Sequence, residues 1–166
     1  MSLTVRSRQK SYLIDSWMVR RLAKWILEKT EPSNISKLIE HELGVYIIGP
    51  NEMADLNFSN LKHQGATDVI TLDYMEVASI PKCGPILGDL FICPTVAEEN
   101  AKEFGTSCSY EVARYLIHGI LHLRGYDDKK QAARKIMKQK ENLLMKDASK
   151  HFPLSSLVKK PKTNCG

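Results

Sequence analysis

The sequence predicts an α+β fold in a single domain. The chain has 166 residues, of which 43% are hydrophobic, and this is enough for one hydrophobic core. Short segments with strand character lie between longer segments whose apolar residues recur at helical spacing. This order is typical of one sheet with helices packed on it, so we expect a small mixed sheet of about four strands.

The N-terminal half is predicted to contain two strands and two helices. A strand over residues 3–8 leads into a helix from Asp15, a favourable N-cap residue, to about Thr30. Apolar residues at helical spacing, among them both tryptophans, are expected to give this helix its core face. The next strand and a helix whose first turn contains a proline are predicted over residues 44–49 and 50–61.

The C-terminal half is predicted to contain two more strands and three helices. The middle helix carries two histidines; it is expected to begin at Ser109 and to end near Arg124. The helix before it should end near Gly105, because glycine readily adopts the left-handed conformation that follows a helix. The other elements are strands over 68–74 and 86–93, a helix over 94–105 and a last helix from about Asp128 to Ala148.

The charge of the chain is consistent with contact to nucleic acid. Lysine and arginine total 24 against 19 acidic residues, which gives a formal net charge of +5. Such a mild basic excess is found in many proteins that bind RNA and in many that bind none. Lys159, Lys160 and Lys162 lie beyond the last predicted helix. We therefore divide the chain into a domain over residues 1–150 and a basic C-terminal tail over 151–166.

The cysteines and the apolar segments bear on the cellular compartment. The four cysteines are scattered without a C-x-x-C pair, which argues against a disulfide framework and against a cysteine zinc site. No apolar run is long enough to span a membrane. Basic residues near the N-terminus bear some likeness to an organelle transit peptide, but a strand is predicted in the same place. We expect a cytoplasmic bacterial protein, with an organelle as the alternative.

The most informative segment of the chain runs from His118 to Asp128. His118 and His122 are four residues apart, and a helix places such residues on one face, so their imidazoles can bind one ion. Gly125 can end the helix and let the chain return, which brings a carboxylate to the same ion. Two nitrogen ligands, one carboxylate and an open position describe a catalytic zinc site. We assign one Zn²⁺ ion to His118, His122 and Asp128.

Two neighbouring aspartates follow the glycine, and a third lies on a strand. We assign Asp128 to the metal and Asp127 to capping or to a supporting hydrogen bond, and the reverse assignment stays open. Asp89 has two open roles, which are orienting a metal-binding histidine through its second ring nitrogen and hydrogen bonding that supports the fold. For the histidines themselves, the alternative is a packed or surface pair without metal.

The residue after the first histidine separates this segment from the zinc proteases. Those enzymes have a glutamate there, which is the general base for attack of water on the peptide. This chain has Gly119 instead. Peptide hydrolysis would lack its proton acceptor, although a bound metal can still activate water. The pattern favours a zincin-like domain with another substrate and makes a metallopeptidase the least favoured function.

The same segment resembles the signature of the YbeY family, the bacterial endoribonucleases of ribosomal RNA maturation. The family signature reads H-G-x-L-H-L-x-G-Y-D-H, and this chain has H-G-I-L-H-L-R-G-Y-D-D at residues 118–128. L-N at residues 56–57 and T-D-V-I at 67–70 resemble the family segment L-N…T-D-V-L-S-F. Residues 87–92 resemble its L-G-D-I-x-I strand. The blocks follow family order and cover roughly residues 44–145.

The resemblance implies a metal-dependent endoribonuclease that acts in ribosomal RNA processing and ribosome quality control. It implies ribosomal RNA and the small ribosomal subunit as partners. Two residues depart from the family pattern. Asp128 stands where the family has its third histidine ligand; an anionic, harder ligand should weaken the ion as a Lewis acid and favour other divalent ions. Leu61 stands where the family has a catalytic arginine, so we leave the catalytic residue unassigned.

Three basic side chains are our candidates for contacts with RNA phosphates: Lys62, Arg114 and Arg124. Lys62 is adjacent to Leu61 but lacks the bidentate fork of arginine. Arg114 lies one helical turn before His118, and its alternative is a salt bridge with a neighbouring acid. The departure at Leu61 also keeps a second function open, that of an RNA- or ribosome-binding assembly factor that does not cut.

Overall fold

A four-stranded mixed sheet lies at the centre of the computed structural model, which describes residues 1–32, 40–75 and 85–160. The strands of these ranges are β1 (Ser2–Ser7), β2 (Leu13–Ile14), β3 (Glu42–Ile47), β4 (Val69–Asp73), β5 (Leu87–Ile92) and β6 (Val158–Lys159). The sheet order is β1-β3-β5-β4; the first three are parallel and β4 runs antiparallel to β5. β2 and β6 form a separate antiparallel pair. The predicted α+β fold is confirmed.

The α-helices of the described ranges lie close to their predicted positions. They are α1 (Ser16–Thr30), α2 (Pro50–Leu61), α3 (Pro94–Phe104), α4 (Cys108–Leu123) and α5 (Gln131–His151), and a 3₁₀-helix follows at Leu154–Ser156. Asp15 caps α1 as expected, because its side chain accepts the N–H of Met18. None of these helices combines the length and hydrophobicity that crossing a bilayer requires.

Two helix starts differ from the prediction. α4 begins at Cys108, one residue before the predicted start at Ser109, and its N-cap is Ser107, whose hydroxyl accepts the N–H of Tyr110. α5 begins at Gln131 and not at Asp128, because the residues between the two helices form a turn that leads Asp128 back to α4.

The α4 helix lies very close to the sheet, and two glycines permit this approach. A Cβ atom on Gly119 would lie 2.6 Å from Cδ2 of Leu90 on β5. A Cβ atom on Gly88 would lie 2.6 Å from Cδ2 of Leu123. Because one side of α4 is fixed against the sheet in this way, its histidines lie on a side that remains partly exposed.

The buried face of α1 includes only part of the residues expected there. Met18, Leu22 and Ile26 are buried, but Trp17 is 65% exposed. The Arg21 guanidinium lies 4.6 Å from the centroid of the Trp17 ring. Trp17 therefore lies on the solvent side of α1 and is not the core residue that its apolar character indicated.

Residues 152–160 continue the domain, which corrects the predicted boundary between a domain ending at residue 150 and a basic tail over 151–166. Val158 pairs with Ile14, and its N–H donates to the hydroxyl of Ser109 at 2.9 Å. Apolar residues between the polar ones are the reason, since they fill the core: Phe152, Leu154, Leu157 and Val158. Residues 161–166, with Lys162, lie outside the described residues.

Candidate metal centre

His118, His122 and Asp128 meet at the C-terminal end of α4. The Nε2 atoms of the two histidines lie 3.0 Å apart. Oδ2 of Asp128 lies 3.6 Å from Nε2 of His118 and 3.4 Å from Nε2 of His122. Ligand atoms around a tetrahedral zinc ion, with bonds of about 2 Å, are about 3.3 Å apart. The three atoms therefore have nearly the spacing that one such ion needs.

The local sequence explains why these atoms converge. Helical spacing stacks the two histidines, and α4 ends immediately after His122. Gly125 has a φ of 94°, which side-chain-bearing residues rarely adopt. Tyr126 then donates its N–H to the carbonyl oxygen of Leu121 at 3.1 Å, so the chain turns back along the helix. Asp128 reaches the histidines through this turn.

The other ring nitrogens of the two histidines both meet hydrogen-bond acceptors. Nδ1 of His118 lies 3.0 Å from Oε2 of Glu141, and Nδ1 of His122 lies 3.0 Å from the carbonyl oxygen of Tyr126. A carbonyl or a carboxylate only accepts, so Nδ1 carries the proton in each neutral ring. The two Nε2 lone pairs then face each other, which is unfavourable without a proton or cation between them. The donor set thus fits a metal ion.

The protonation states around the site also suit metal binding. Burial lowers the pKa of His122, and the neighbouring His118 lowers it further, so the neutral ring that binds metal is favoured. Burial alone would raise the pKa of Glu141, but hydrogen bonds from His118 and Arg114 outweigh burial and lower it to about 2. Glu141 is therefore a carboxylate when it accepts the proton of His118.

Glu141 is the site residue that sequence reasoning missed. Its side chain is 5% exposed and belongs to α5, far along the chain from the histidines. It lies on the buried stripe of that helix with four apolar residues: Met137, Leu144, Met145 and Ala148. A buried charge is costly unless it is paired, so a glutamate on an apolar stripe was the signal that could have found it.

Arg114 is bound to the same glutamate. Its Nη1 donates to Glu141 and, at 3.1 Å, to Oδ1 of Asn142. Its Nη2 donates to the hydroxyl of Tyr110 at 3.0 Å. The salt bridge considered from the sequence thus exists, yet Arg114 also lines the cleft that contains the metal ligands. Its contact with an RNA phosphate stays a prediction.

Arg124 cannot contact RNA phosphates, which corrects the expectation from the sequence. Its side chain is fully buried. Nη2 donates to the carbonyl oxygen of Leu27 at 2.9 Å and to Oε2 of Glu31 at 2.8 Å. Nε donates to the hydroxyl of Thr30 at 3.1 Å. Because these partners belong to the C-terminal end of α1, Arg124 connects the two helices inside the protein.

Asp127, Asp89 and Lys62 do not belong to the described residues that line the cleft. Oδ1 of Asp127 accepts the N–H of Lys129 at 2.9 Å, which stabilises the turn. Asp89 accepts the hydroxyl of Tyr74 at 2.8 Å, so it orients neither histidine and has the fold-supporting role. Lys62 is exposed at the C-cap of α2, outside the set of described residues that line the cleft. Its contact with RNA stays a prediction.

The metal ligands lie in a cleft of about 1210 Å³ between α3, α4, α5, β4 and the end of α2. Leu61 is 50% exposed and lines this cleft, as does Phe104, which is 64% exposed. Four of the lining residues are cationic: Arg114, Lys129, Arg134 and Lys138. Five are acidic: Asp68, Asp73, Glu111, Asp128 and Glu141. With neutral histidines the formal charge of the cleft is therefore slightly negative, and a divalent ion reverses it.

Comparison with known proteins decides the family. The family model described as Endoribonuclease YbeY matches residues 4–149. The chain belongs to the YbeY family. Endoribonuclease YbeY of Aquifex aeolicus is 35% identical over 146 residues, which are 86% of this chain and 95% of that protein. Endoribonuclease YbeY of Thermotoga petrophila is 35% identical over 98 residues, which are 56% of this chain and 61% of that protein.

A solved structure supports the fold of this YbeY family member. The solution structure of TM1509 from Thermotoga maritima has a TM-score of 0.55 at 21% identity, over 98% of this chain and 99% of that one. The resemblance read from residues 118–128 is thereby confirmed at the level of family and fold. The family is one of metal-dependent endoribonucleases, and this member has a histidine-histidine-aspartate cluster that can hold an ion.

Proposed function

We propose that this chain is a metal-dependent endoribonuclease of ribosomal RNA maturation and ribosome quality control. The observation that carries the proposal is the convergence of His118, His122 and Asp128 in an open cleft. Both relatives described above are endoribonucleases by name. Its partners would be ribosomal RNA and the small ribosomal subunit, in the bacterial cytoplasm or, as the alternative, in an organelle.

One Zn²⁺ ion is the proposed cofactor. Two imidazoles and one carboxylate leave a position open, and an ion held in this way supplies a Lewis acid for a phosphate oxygen or an activated water. The carboxylate of Asp128 is a harder ligand than a third imidazole. We therefore expect Mn²⁺ and similar ions to replace zinc more readily here than in members with three histidines.

The residues around the ligands would orient the metal site and bind the RNA backbone. Glu141 accepts the Nδ1 proton of His118, which fixes the ring with Nε2 towards the ion. Arg114 is fixed by the same carboxylate and faces the cleft, so its guanidinium suits a phosphate beside the metal. Further phosphates would meet the basic residues of the α5 side: Lys129, Arg134 and Lys138.

Arg114 can replace the family arginine that is absent at residue 61. The side chains of Leu61 and Arg114 line the same cleft, so the guanidinium of Arg114 on α4 can bind a phosphate that an arginine at residue 61 would bind. Arg114 presents a planar, charged fork that can bind a phosphate through two hydrogen bonds, whereas Lys62 presents a point charge. We propose Arg114 as the phosphate-binding arginine of this member.

The test is a matched set of single substitutions measured for metal content and for cleavage of ribosomal RNA. Wild type and Asp127→Ala should each bind about one ion per chain, whereas His118→Ala and Asp128→Ala should bind none. Cleavage should follow metal content. His151→Ala is the control, since His151 is exposed at the end of α5 and its Nδ1 contacts the carbonyl oxygen of Asp147. Equal cleavage by wild type and His118→Ala would show that a contaminating nuclease is responsible.

A non-cleaving assembly factor is the second candidate, and Leu61 is the observation that favours it. Such a protein would bind RNA or the ribosome but would not need the open metal position. Genetic rescue of a bacterium that lacks its own family member separates the two. Rescue by wild type and not by His118→Ala supports the nuclease, while equal rescue by both supports the assembly factor.

A metallopeptidase remains the least favoured function, and the fold gives the reason. A Cβ atom at Gly119 would lie 2.6 Å from the side chain of Leu90. The catalytic glutamate of zinc proteases therefore does not fit at this position unless the sheet or α4 moves. Metal-dependent cleavage of a peptide library that is lost in His118→Ala would contradict this conclusion.

A further inference from the structure

The solvent-facing side of α1 has a regular pattern of aromatic and cationic side chains. Trp17, Arg21, Trp25 and Lys29 follow one another at intervals of four residues, and such residues form one ridge of a helix. We call these four residues the α1 stripe. Trp17 is 65% exposed, so its ring contributes little to the core and can meet a ligand. We propose that the α1 stripe is an RNA-binding surface, separate from the metal cleft.

The rings and cations of the stripe contact one another in order. The Arg21 guanidinium lies 4.6 Å from the centroid of the Trp17 ring and 5.5 Å from that of Phe152. Nζ of Lys29 lies 5.8 Å from the centroid of the Trp25 ring. The Trp25 ring in turn packs edge-on against Phe152, with the centroids 5.9 Å apart. These contacts hold the stripe in one arrangement, so a ligand would not have to order it.

The stripe lies on a positively charged helix. Within its bounds α1 contains one acidic side chain, Glu28, and four cationic ones, which gives a formal charge of +3: Arg20, Arg21, Lys24 and Lys29. Glu28 lies 4.0 Å from Lys24. Arg21 and Lys29 form no ion pair with a carboxylate of the described residues. The two cations of the stripe can therefore bind a polyanion and release its counterions.

RNA is the anion that matches both components of the stripe. A single strand alternates phosphates with bases, and proteins that bind it combine cations along the backbone with aromatic rings on which bases stack. An acidic peptide offers charges for Arg21 and Lys29 but no planar group for an indole. A membrane is disfavoured, because the apolar side of α1, with Leu22 and Ile26, is buried in the core and cannot enter a bilayer.

The stripe lies outside the metal cleft but is connected to it by α5. No residue of α1 belongs to the described residues that line the cleft. Glu141 of α5 contacts His118, and the His151 ring at the end of α5 lies 5.7 Å from that of Trp25. These two α5 residues are ten apart, which is about 15 Å along a helix. The stripe would thus hold a part of the RNA that is distant from the metal. The proposal goes beyond the nuclease function and holds equally for a factor that does not cut.

The experiment uses the tryptophan fluorescence of the full-length protein. The two tryptophans of the chain both belong to the stripe, so their emission reports on this surface. A short single-stranded RNA is titrated into the protein with a chelator present, and a denaturing gel checks that the RNA is intact. Polyglutamate and vesicles of phosphatidylcholine with phosphatidylserine are titrated in the same way. These probes distinguish RNA from an acidic protein segment and from an anionic membrane.

RNA should quench the emission of wild type, while polyglutamate and vesicles should not. Trp17→Phe should lose most of the quenching and Trp25→Phe should keep it, because the exposed ring is the one that meets a base. Arg21→Ala should bind RNA about tenfold more weakly and reduce the slope of log affinity against log salt by about 0.7. The control is Arg8→Ala, whose guanidinium also lies over a ring, 4.7 Å from that of Tyr46, but outside the stripe; it should behave as wild type.

Four results would overturn the proposal. They are an emission that RNA does not change, quenching that survives in Trp17→Phe, equal affinity of Arg21→Ala and wild type for RNA, and quenching by polyglutamate or vesicles in place of RNA. Thermal unfolding of Trp17→Phe and Arg21→Ala should match that of wild type, because both side chains are exposed. A loss of RNA binding in these variants would therefore not result from unfolding.

The same measurements separate this proposal from the nuclease function. His118→Ala should keep the RNA-dependent quenching although it should not bind metal, because the stripe lies outside the cleft. Quenching by RNA without metal-dependent cleavage would keep the stripe and reject the nuclease. Cleavage that needs His118 without any quenching would keep the nuclease and reject the stripe.

Discussion

Arg114 and Arg124 belong to the same helical segment and both pair with a glutamate, yet they have opposite surroundings. Arg114 is bound to Glu141 and is 17% exposed at the metal cleft. Arg124, the C-cap of α4, is bound to Glu31 and is fully buried. Residue type and helical position alone made both of them candidates for phosphate binding. Their tertiary contacts leave Arg114 able to bind a ligand in the cleft, whereas Arg124 stabilises the fold.

The other hydrogen-bond partners of the two arginines explain this difference. Arg124 uses Nε and Nη2 for the end of α1, and its Nη1 is buried without a hydrogen-bond partner among the described residues. The buried guanidinium of Arg124 is stabilised by the ion pair with Glu31 and by the packing around it. Arg114 bonds the hydroxyl of Tyr110 and the amide oxygen of Asn142, which hold its guanidinium beside the cleft. A fixed but accessible guanidinium is suited to binding an anion.

Replacing Arg124 should have the largest effect on stability. Arg124→Met removes one member of a buried ion pair, and the expected loss is about 3–5 kcal/mol in the free energy of unfolding. The lower end applies, because Glu31 is 27% exposed and retains His41 at 2.9 Å. Urea denaturation measures this loss, and Arg8→Met, which removes an exposed ion pair with Glu52, is the control with a smaller expected loss. Equal stability of Arg124→Met and wild type would contradict the structural role.

Replacing Arg114 should instead affect cleavage. A charge-assisted contact to phosphate contributes about 1.5–3 kcal/mol, so Arg114→Ala should cut ribosomal RNA about ten- to a hundredfold more slowly. Arg114→Lys keeps the charge without the planar fork and should recover only part of the rate. Rates are compared at saturating metal, with Arg8→Ala as a basic control outside the described residues that line the cleft. An unchanged rate for Arg114→Ala would show that Arg114 is not the phosphate-binding residue.

Glu141→Gln tests the glutamate that pairs with Arg114 and His118. Loss of the carboxylate at Nδ1 of His118 should weaken metal binding about ten- to a hundredfold, measured by competition with a chelating dye.

The low pKa of Glu141 predicts that the folded protein loses stability in acid. Its pKa falls from the usual 4.5 to about 2 on folding, so it stabilises the protein above pH 4.5 and this contribution is lost as the pH falls towards 2.

The pH dependence provides an independent check of the same residue. Stability of the wild type should decline through the window from about pH 4.5 to about pH 2, and Glu141→Gln should flatten this decline. Glu31→Gln is the matched variant for the other pair. A Glu141→Gln variant with wild-type metal affinity and an unchanged pH dependence of stability would contradict the role of Glu141 in the site.

Leu61→Arg should have the smallest of these effects. Leu61 is exposed and lines the cleft, so an arginine there can reach the phosphate without disturbing the core. We expect cleavage to rise by at most about tenfold, since Arg114 already supplies a guanidinium. The gain should be larger in the Arg114→Ala background. If the gain is the same in both backgrounds, the two positions act independently and Arg114 does not replace the family arginine.

The part of the site that could be predicted from the sequence is the part built by local geometry. Helical spacing and a glycine turn bring His118, His122 and Asp128 together within one short segment. Helix and strand positions followed from periodicity, and α2 was predicted at its observed bounds. These features depend only on residues that are close in the chain.

The missed or mistaken features depend on packing between distant segments. Glu141 reaches His118 from another helix, and Arg124 is buried by residues of α1. No motif in the sequence marks the burial of Arg124, and the signal for Glu141 is its place on the apolar stripe of α5. Residues 151–166 were predicted as a basic, proline-containing tail because of their lysines, although four apolar side chains at 152–158 fill the core. Tertiary contacts between segments that are distant in the chain decided these cases.

The C-terminal position of those four core residues has a consequence for the synthesis of the protein. Ser109, at the start of the histidine helix, receives the N–H of Val158 only after nearly the whole described chain has been translated. The core therefore cannot close around α4 while the C-terminal segment is still within the ribosome. A prematurely ended chain that lacks residues 152–158 would leave apolar surface of α1 and α4 uncovered and open to proteolysis. Synthesis of residues 152–158 is thus a condition for a closed core around α4.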